Sequence, residues 1–256
     1  MIKNYVRDFK MMPITMIKIP PLIGLCLLSL STLSHVHAET SFAEELHQSC
    51  SNIQTDARLG KQAYDQEKYQ LALKHFKDQA RWSAFCQNND EDNLLKISER
   101  DIELAFNNVG LTYQKLGQNN WARAWFAIFP QSSISQHNLK RLPALTQNST
   151  ISGKYVKYAG YGEWNTVEVT ATKAEYTIRF SGLYMGLRSL IYGPNMGDFD
   201  TTMAKNRKQT TYQYEKCQLN LNFSTAQHLQ ITYADQNYDC GFGHNVSATG
   251  DYLKVE

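Results

Sequence analysis

The 256-residue sequence predicts an α+β chain of two domains, helical first and antiparallel β second. Two observations carry that expectation. From residue 39 to about residue 145, apolar residues recur at helical spacing, and proline occurs only at Pro130 and Pro143. Beyond the polar stretch TQNSTISGKY, residues 146 to 155, the pattern changes to strict alternation. The expected divisions are a leader over 1–38, a helical domain over 39–148 and an antiparallel β domain over 151–256.

The leader is read from its charge and its end. Lys3, Arg7, Lys10 and Lys18 precede or open an apolar run, Ile19 to Leu33, which ends near Val36-His37-Ala38. A basic start, an apolar middle and small residues before the cut predict a secretory signal peptide cleaved after Ala38, hence a periplasmic location. The run is short for a membrane anchor, which needs roughly 20 apolar residues. Cys26 lies inside the run, where it is not placed for acylation.

The leader holds four of the 26 basic residues and one of the 24 acidic ones, so the remainder carries 22 against 23, net −1. That balance gives no electrostatic footprint for nucleic acid. Four cysteines remain after the leader: Cys50, Cys86, Cys217 and Cys240. An even number in an exported chain favours disulfides, and three pairings are open. With two cysteines in each half, Cys50–Cys86 and Cys217–Cys240 are expected.

In the helical half, Leu59, Ala63, Tyr69, Ala72 and Phe76 fall at helical intervals, as do Val109, Gly110, Tyr113, Ala122 and Phe126. These two stretches resemble tetratricopeptide helix pairs. Gly60 and Gly110 stand where the family brings two helices close, Ala72 and Ala122 at its small crossing position, and Phe76 and Phe126 at the following aromatic. The glycines lie 50 residues apart rather than the family's 34. The acidic run Asn88-Asn89-Asp90-Glu91-Asp92 is expected to loop out and cap a helix from Asn93. SISQHNLKRLPAL is expected to add a closing helix that ends before Pro143. Trp82, Phe85, Trp121, Trp125 and Phe129 suit a core between helices. Alternatively, the face around Tyr113 and Trp121 holds a peptide.

In the β half, Tyr176, Ile178 and Phe180 share one parity; so do Leu219, Leu221 and Phe223, and Leu229, Ile231 and Tyr233. Further strands are expected at Lys154–Ala159, Asn165–Thr170, Gly186–Tyr192, Gln209–Tyr214 and Val246–Val255, with YGPNMG as a turn. Seven or eight short strands in about 105 residues predict a small up-and-down barrel or a curved sandwich. Eleven of the fifteen tyrosines fall here, supplying apolar mass with a polar tip. A Cys217–Cys240 bridge would staple neighbouring strands, with Gly241 and Gly243 letting the chain turn around Phe242.

Recognised chemistry is missing from the pattern. There is no G-x-S-x-G, H-E-x-x-H, P-loop or dinucleotide fingerprint, and the histidines are scattered. Asp198 and Asp200 lie in an expected turn, and two carboxylates alone do not define a glycosidase. No catalytic residue, metal ligand or cofactor is expected.

Gly153-x-Tyr155, Tyr212, Cys217-x-Leu-x-Leu-x-Phe223 and Cys240-Gly241-x-Gly243-x-Asn245-Val246-x-x-x-Gly250-x-Tyr252 resemble a periplasmic β module associated with LprI-like lysozyme-inhibitor proteins. The resemblance covers roughly residues 151 to 255. It implies a binding or immunity-like inhibitor whose partner is a cell-wall hydrolase, such as lysozyme or a peptidoglycan-degrading toxin. The chain departs from those proteins in having helix pairs where their cysteine-rich helical module stands, so inhibition does not transfer with the resemblance. Tyr158, Tyr161, Trp164, Tyr192, Asn195, Asp198 and His244 are the expected partner-binding loop residues. The alternative is a periplasmic scaffold that holds a peptide on its helices.

Overall fold

Gly60 and Gly110 explain the helical half. A Cβ on Gly60 would sit 2.6 Å from the ring of Phe76, and one on Gly110 would sit 2.6 Å from Phe126 Cδ1. Each glycine therefore lets a second helix lay a phenylalanine flat on its backbone. In the computed structural model, which describes residues 42–89, 96–145, 150–186, 189–235 and 239–256, these contacts define two helix pairs. The first is α2 (Ile53–Asp65) with α3 (Tyr69–Asn89), and the second is α4 (Glu99–Lys115) with α5 (Asn119–Phe126). Helix α1 (Phe42–Ser51) precedes them and α6 (Ser133–Arg141) follows. The expected signal peptide lies outside the described residues.

The two pairs turn in the same way. After α2, Lys68 N donates to Ala63 O and Glu67 N to Tyr64 O; after α4, Gln118 N donates to Tyr113 O and Gly117 N to Gln114 O. This is the paired hydrogen bonding of a Schellman end. It needs a left-handed residue, which is Glu67 (φ 58°) in one pair and Gly117 (φ 75°) in the other. Ala72 and Ala122 are fully buried at the crossings.

The start of α4 differs from expectation. Asn88 and Asn89 belong to the last turn of α3, the acids of the expected cap and Asn93 lie outside the described residues, and α4 begins at Glu99. Ser98 supplies the reason: its hydroxyl accepts from Asp101 N while the Asp101 carboxylate accepts from Ser98 N. That reciprocal cap satisfies two otherwise orphaned amides. Ser98 Oγ also donates to the Asp101 carboxylate at 2.6 Å, and this bond together with that from Ser98 N holds the Asp101 carboxyl below its ordinary value. Helix α6 closes the half as expected.

Among the described residues, eight antiparallel strands follow: β1 (Gly153–Gly160), β2 (Glu163–Ala171), β3 (Glu175–Tyr184), β4 (Asn195–Ala204), β5 (Gln209–Tyr214), β6 (Cys217–Thr225), β7 (His228–Tyr233) and β8 (Gly250–Lys254). Their sheet order is β4-β3-β2-β1-β8-β7-β6-β5. Consecutive strands are therefore neighbours, and β8 returns to β1. This is an up-and-down layout. The remaining gap, between β4 and β5, is crossed by side chains: Thr210 Oγ1 donates to Thr202 O at 2.7 Å, Thr201 Oγ1 to Thr211 O at 3.3 Å, and Phe199 stacks on Tyr212 with centroids 4.3 Å apart. The chain is α+β with a nearly closed antiparallel barrel.

Alternation fills the interior. Val167, Val169, Ile178, Phe180, Leu219, Leu221, Phe223, Leu229 and Ile231 all point inward and are buried. Tyr155 and Tyr252 are fully buried as well, each with a hydroxyl partner: Tyr155 donates to Ile151 O at 2.8 Å and Tyr252 to Ala248 O at 2.7 Å. Burial raises both phenol pKa values far above the ordinary one.

Three strand expectations change. Residues 189–192 form a short helix, α7 (Ser189–Tyr192), where a strand over Gly186–Tyr192 was expected. Gly193 closes it at φ 92°, its N–H donating to Ser189 O, and Pro194 stops further winding. Asp198 and Asp200 lie on strand β4 rather than in a turn, because Phe199 and Met203 are the buried face of that strand. The last strand is confined to Gly250–Lys254. Residues 40–256 form one compact unit, in which helices and barrel share an aromatic seam.

Candidate functional site

The seven expected loop residues fall into two places. Tyr158, Tyr161 and Trp164 surround the β1–β2 turn, which points into the helices. Gly160, Tyr161 and Gly162 all take positive φ there, and Gly162 passes so close to Trp125 that a Cβ would touch its ring at 3.4 Å. Trp164 packs edge-on against Trp125 (5.5 Å) and Trp121 (5.9 Å). Tyr158 meets Phe106 at 5.9 Å, and Tyr161 meets Phe85 at 5.0 Å. An Arg81–Glu163 ion pair bridges the same seam. Burial pushes the Tyr158 phenol up to about 12.

The helical alternative, Tyr113 and Trp121, is drawn into this packing too. Tyr113 is 5% exposed and stacks on Trp121 at 5.6 Å, and Trp121 Nε1 donates to the Glu256 carboxylate at 3.2 Å. These rings join the two halves to each other. Beside them lies a cavity of about 600 Å³ whose walls include Ile102, Phe129, Tyr158, Tyr161 and Met185.

Tyr192, Asn195, Asp198 and His244 are exposed and belong to the other place, the rim where β3 hands over to β4 and β7 to β8. Asn195 pairs with Tyr184 across the ladder, and its Nδ2 donates to His244 O at 2.9 Å. Gly243 N donates to Met196 O at 2.9 Å, so the loop after Cys240 runs directly over the start of β4. A side chain on Gly243 would strike the β4 backbone at 2.6 Å, and one on Gly241 would strike the Tyr214 ring at 2.9 Å. The two glycines thus let Phe242 turn into the barrel mouth, where it packs against Phe180 (5.6 Å) and Phe199 (6.3 Å). The Cys217–Cys240 disulfide pins this plug loop to the first residue of β6, and Cys50–Cys86 ties α1 to α3. Both pairings are those expected.

Four of the seven large apolar residues exposed among the described residues are at or beside this rim: Tyr192 (64%), Met196 (58%), Tyr214 (45%) and Tyr184 (38%). Only Tyr192 was expected as a site residue. Tyr184 and Tyr214 are the last residues of β3 and β5, in the inward parity of their strands, so the barrel wall itself presents them at the mouth. Strand parity extended to its terminal aromatic is the signal that could have found them.

Titratable groups are distributed in pairs. His75 Nδ1 lies 3.0 Å from Asp56, His228 lies between Ser224 and Asp251, and Arg179 Nε donates to Asp200 at 2.9 Å. Among the described residues, no three His, Cys, Asp or Glu side chains are grouped to hold a metal ion, and no helix is long and apolar enough to cross a membrane. Comparison with family models, curated proteins and solved structures returns no match. The class defined by geometry is an α-helical layer joined through an aromatic seam to a plugged, nearly closed antiparallel barrel.

Proposed function

We propose that the chain is a periplasmic binding protein that inhibits another protein by contact, without chemistry of its own. The observation that carries the reading is the rim. Exposed apolar side chains gather there on strand ends and at the end of α7, beside the plug loop that the disulfide holds. Apolar patches of this kind mark interaction surfaces, and buried aromatic anchors supply most of the binding energy in protein interfaces. The resemblance of the CGFGHNV segment to the lysozyme-inhibitor module supports a cell-wall hydrolase as target.

Surface plasmon resonance with immobilised chain and lysozyme-type hydrolases tests this. Saturable binding should weaken by roughly 30-fold or more in the Tyr192→Ser/Met196→Ser variant, the loss of one hot spot being about 2 kcal/mol. Equal affinity in a variant with an unchanged circular-dichroism spectrum removes the rim from the reading.

A second reading rests on a separate groove. Ala57, Lys61 and Tyr64 of α2 face Asn108 and Leu111 of α4 across a hollow of about 410 Å³ floored by Phe76. If the helix pairs form a tetratricopeptide-like stack, this groove holds an extended peptide of an envelope assembly partner. In that case Leu111→Glu weakens capture while the rim variant does not.

A further inference from the structure

The seam cavity touches the rim at Met185, the residue after Tyr184, and carries its own chemistry. It opens between the end of α3, the start of α4, the chain after α5 and the β1–β2 turn. Its volume of about 600 Å³ falls within the range of small-ligand sites, roughly 300–1,000 Å³, and its position between two packed layers is where such sites gather. The apolar walls are Ile102, Ile128, Phe129, Tyr158, Tyr161 and Met185.

One side of the cavity is charged, and all in one sense. Glu99 and Glu103 of α4 line it, while among the described residues no lysine or arginine does. The two carboxylates are four residues apart on one helix and therefore face each other along the same side, an arrangement that destabilises a helix. Neither has a cationic partner among the described residues; the one side-chain contact of Glu103 there is a hydrogen bond from Ser132 Oγ at 2.8 Å. Gln87 and Asn88 complete the polar edge, and Asn88 Nδ2 reaches Tyr161 OH at 3.4 Å. Tyr161 is held at φ 48°, a costly conformation for a residue with a side chain, and this backbone places its ring at the cavity wall.

We infer that this cavity binds an organic cation, an ammonium, amidinium or guanidinium group carried on an apolar body. The cation would sit between Glu99 and Glu103 and turn their repulsion into two attractions. The apolar body would lie against Phe129, Tyr158 and Tyr161, whose ring faces also attract positive charge. A neutral ligand gains nothing from the carboxylates, and an anion is repelled. The inference does not depend on the rim anchors, because none of Tyr184, Tyr192, Met196 and Tyr214 lines the cavity.

Benzamidinium is a suitable probe, titrated into the full chain labelled at isoleucine and methionine methyls. Saturable shifts are expected at Ile102, Ile128 and Met185, with a Kd of about 1 mM or tighter. Benzyl alcohol and benzoate should bind about tenfold or more weakly, and Glu99→Gln/Glu103→Gln should weaken benzamidinium by the same factor. Met185→Trp, which fills the cavity without changing its charge, should abolish the shifts, and Asp198→Asn at the rim should leave them intact. A capped phenylalanyl-arginine amide distinguishes the source. Tighter binding than benzamidinium assigns the cation to an arginine side chain, weaker binding assigns it to a free small molecule, and either outcome upholds the cationic site. Absence of shifts at about 10 mM benzamidinium, or benzoate binding as well as benzamidinium, overturns it.

Discussion

Replacing Gly110 by Ala separates the packing account from simple helix propensity by the sign of the effect. In an open helix interior, Gly→Ala stabilises by about 1 kcal/mol. Here the added Cβ would lie 2.6 Å from Phe126 Cδ1 and closer still to Cε1, and the ring is fully buried against α4. The ring cannot swing into solvent; Phe106, Trp125 and Val109 belong to the same core. Overpacking of this kind costs about 1–3 kcal/mol. The worked expectation is that the clash outweighs the propensity gain, with a net loss of up to about 2 kcal/mol. A unit of this size shifts by about 2–4 °C per kcal/mol, so Tm should fall by up to about 8 °C. Thermal unfolding followed by far-ultraviolet circular dichroism reads this directly. A rise in Tm would refute the reasoning, because it would mean that Phe126 does not lie on Gly110. The same substitution at Gly60 should behave alike, since Phe76 lies there in the equivalent position.

Other expectations follow from the same geometry. Glu67→Gly should stabilise by about 1 kcal/mol, seen as a higher urea midpoint, because Glu67 occupies the left-handed position that Gly117 fills in the second helix pair. Cys217→Ser/Cys240→Ser should lower stability by about 3 kcal/mol, as expected for closing a loop of 23 residues, and peptide mass mapping should first show that these two cysteines are joined. Phe242→Ala should cost about 3–5 kcal/mol if its ring is a true plug, and near-ultraviolet circular dichroism should report the loosened mouth. Burial raises the phenol pKa of Tyr155, Tyr158 and Tyr252, with Tyr158 at about 12. Their contribution is fully present below about pH 10, where an unfolded tyrosine ionises, and is lost as pH rises through the folded values. Urea midpoints should therefore be insensitive to these groups up to about pH 10 and fall steeply toward pH 12.

Much of this architecture was legible because local chemistry and tertiary packing agree. Leu219, Leu221 and Phe223 alternate without interruption, and their strand is where alternation places it. Gly60 and Gly110 mark close helix contacts, and both contacts exist. Strand β4 was hidden because Gly197, Asp198 and Asp200 resemble a turn in composition. Only its pairing with β3 along ten residues shows Phe199 and Met203 as a buried face. The start of α4 at Glu99 was not legible, because a run of acids resembles a cap, whereas the reciprocal hydrogen bonds of Ser98 and Asp101 form the one observed there. Of the candidate site, Tyr192, Asn195, Asp198 and His244 are brought to one rim. Tyr158, Tyr161 and Trp164 are instead engaged by Phe106, Phe85, Trp121 and Trp125, residues 39 to 76 positions earlier in the chain. Long-range aromatic packing leaves no local periodicity, so the seam had no signature in the sequence pattern.

The claim that the plugged rim binds and blocks a wall hydrolase is tested most directly by a turbidity assay. Peptidoglycan suspension is cleared by a lysozyme-type hydrolase in the presence of increasing amounts of the chain. Wild-type protein should slow clearing in a saturable way, and Tyr192→Ser/Met196→Ser should require roughly 30-fold more protein for the same effect, consistent with a hot-spot loss of about 2 kcal/mol. Clearing that proceeds unchanged at saturating wild-type protein, or that is suppressed equally by the folded double variant, contradicts the account.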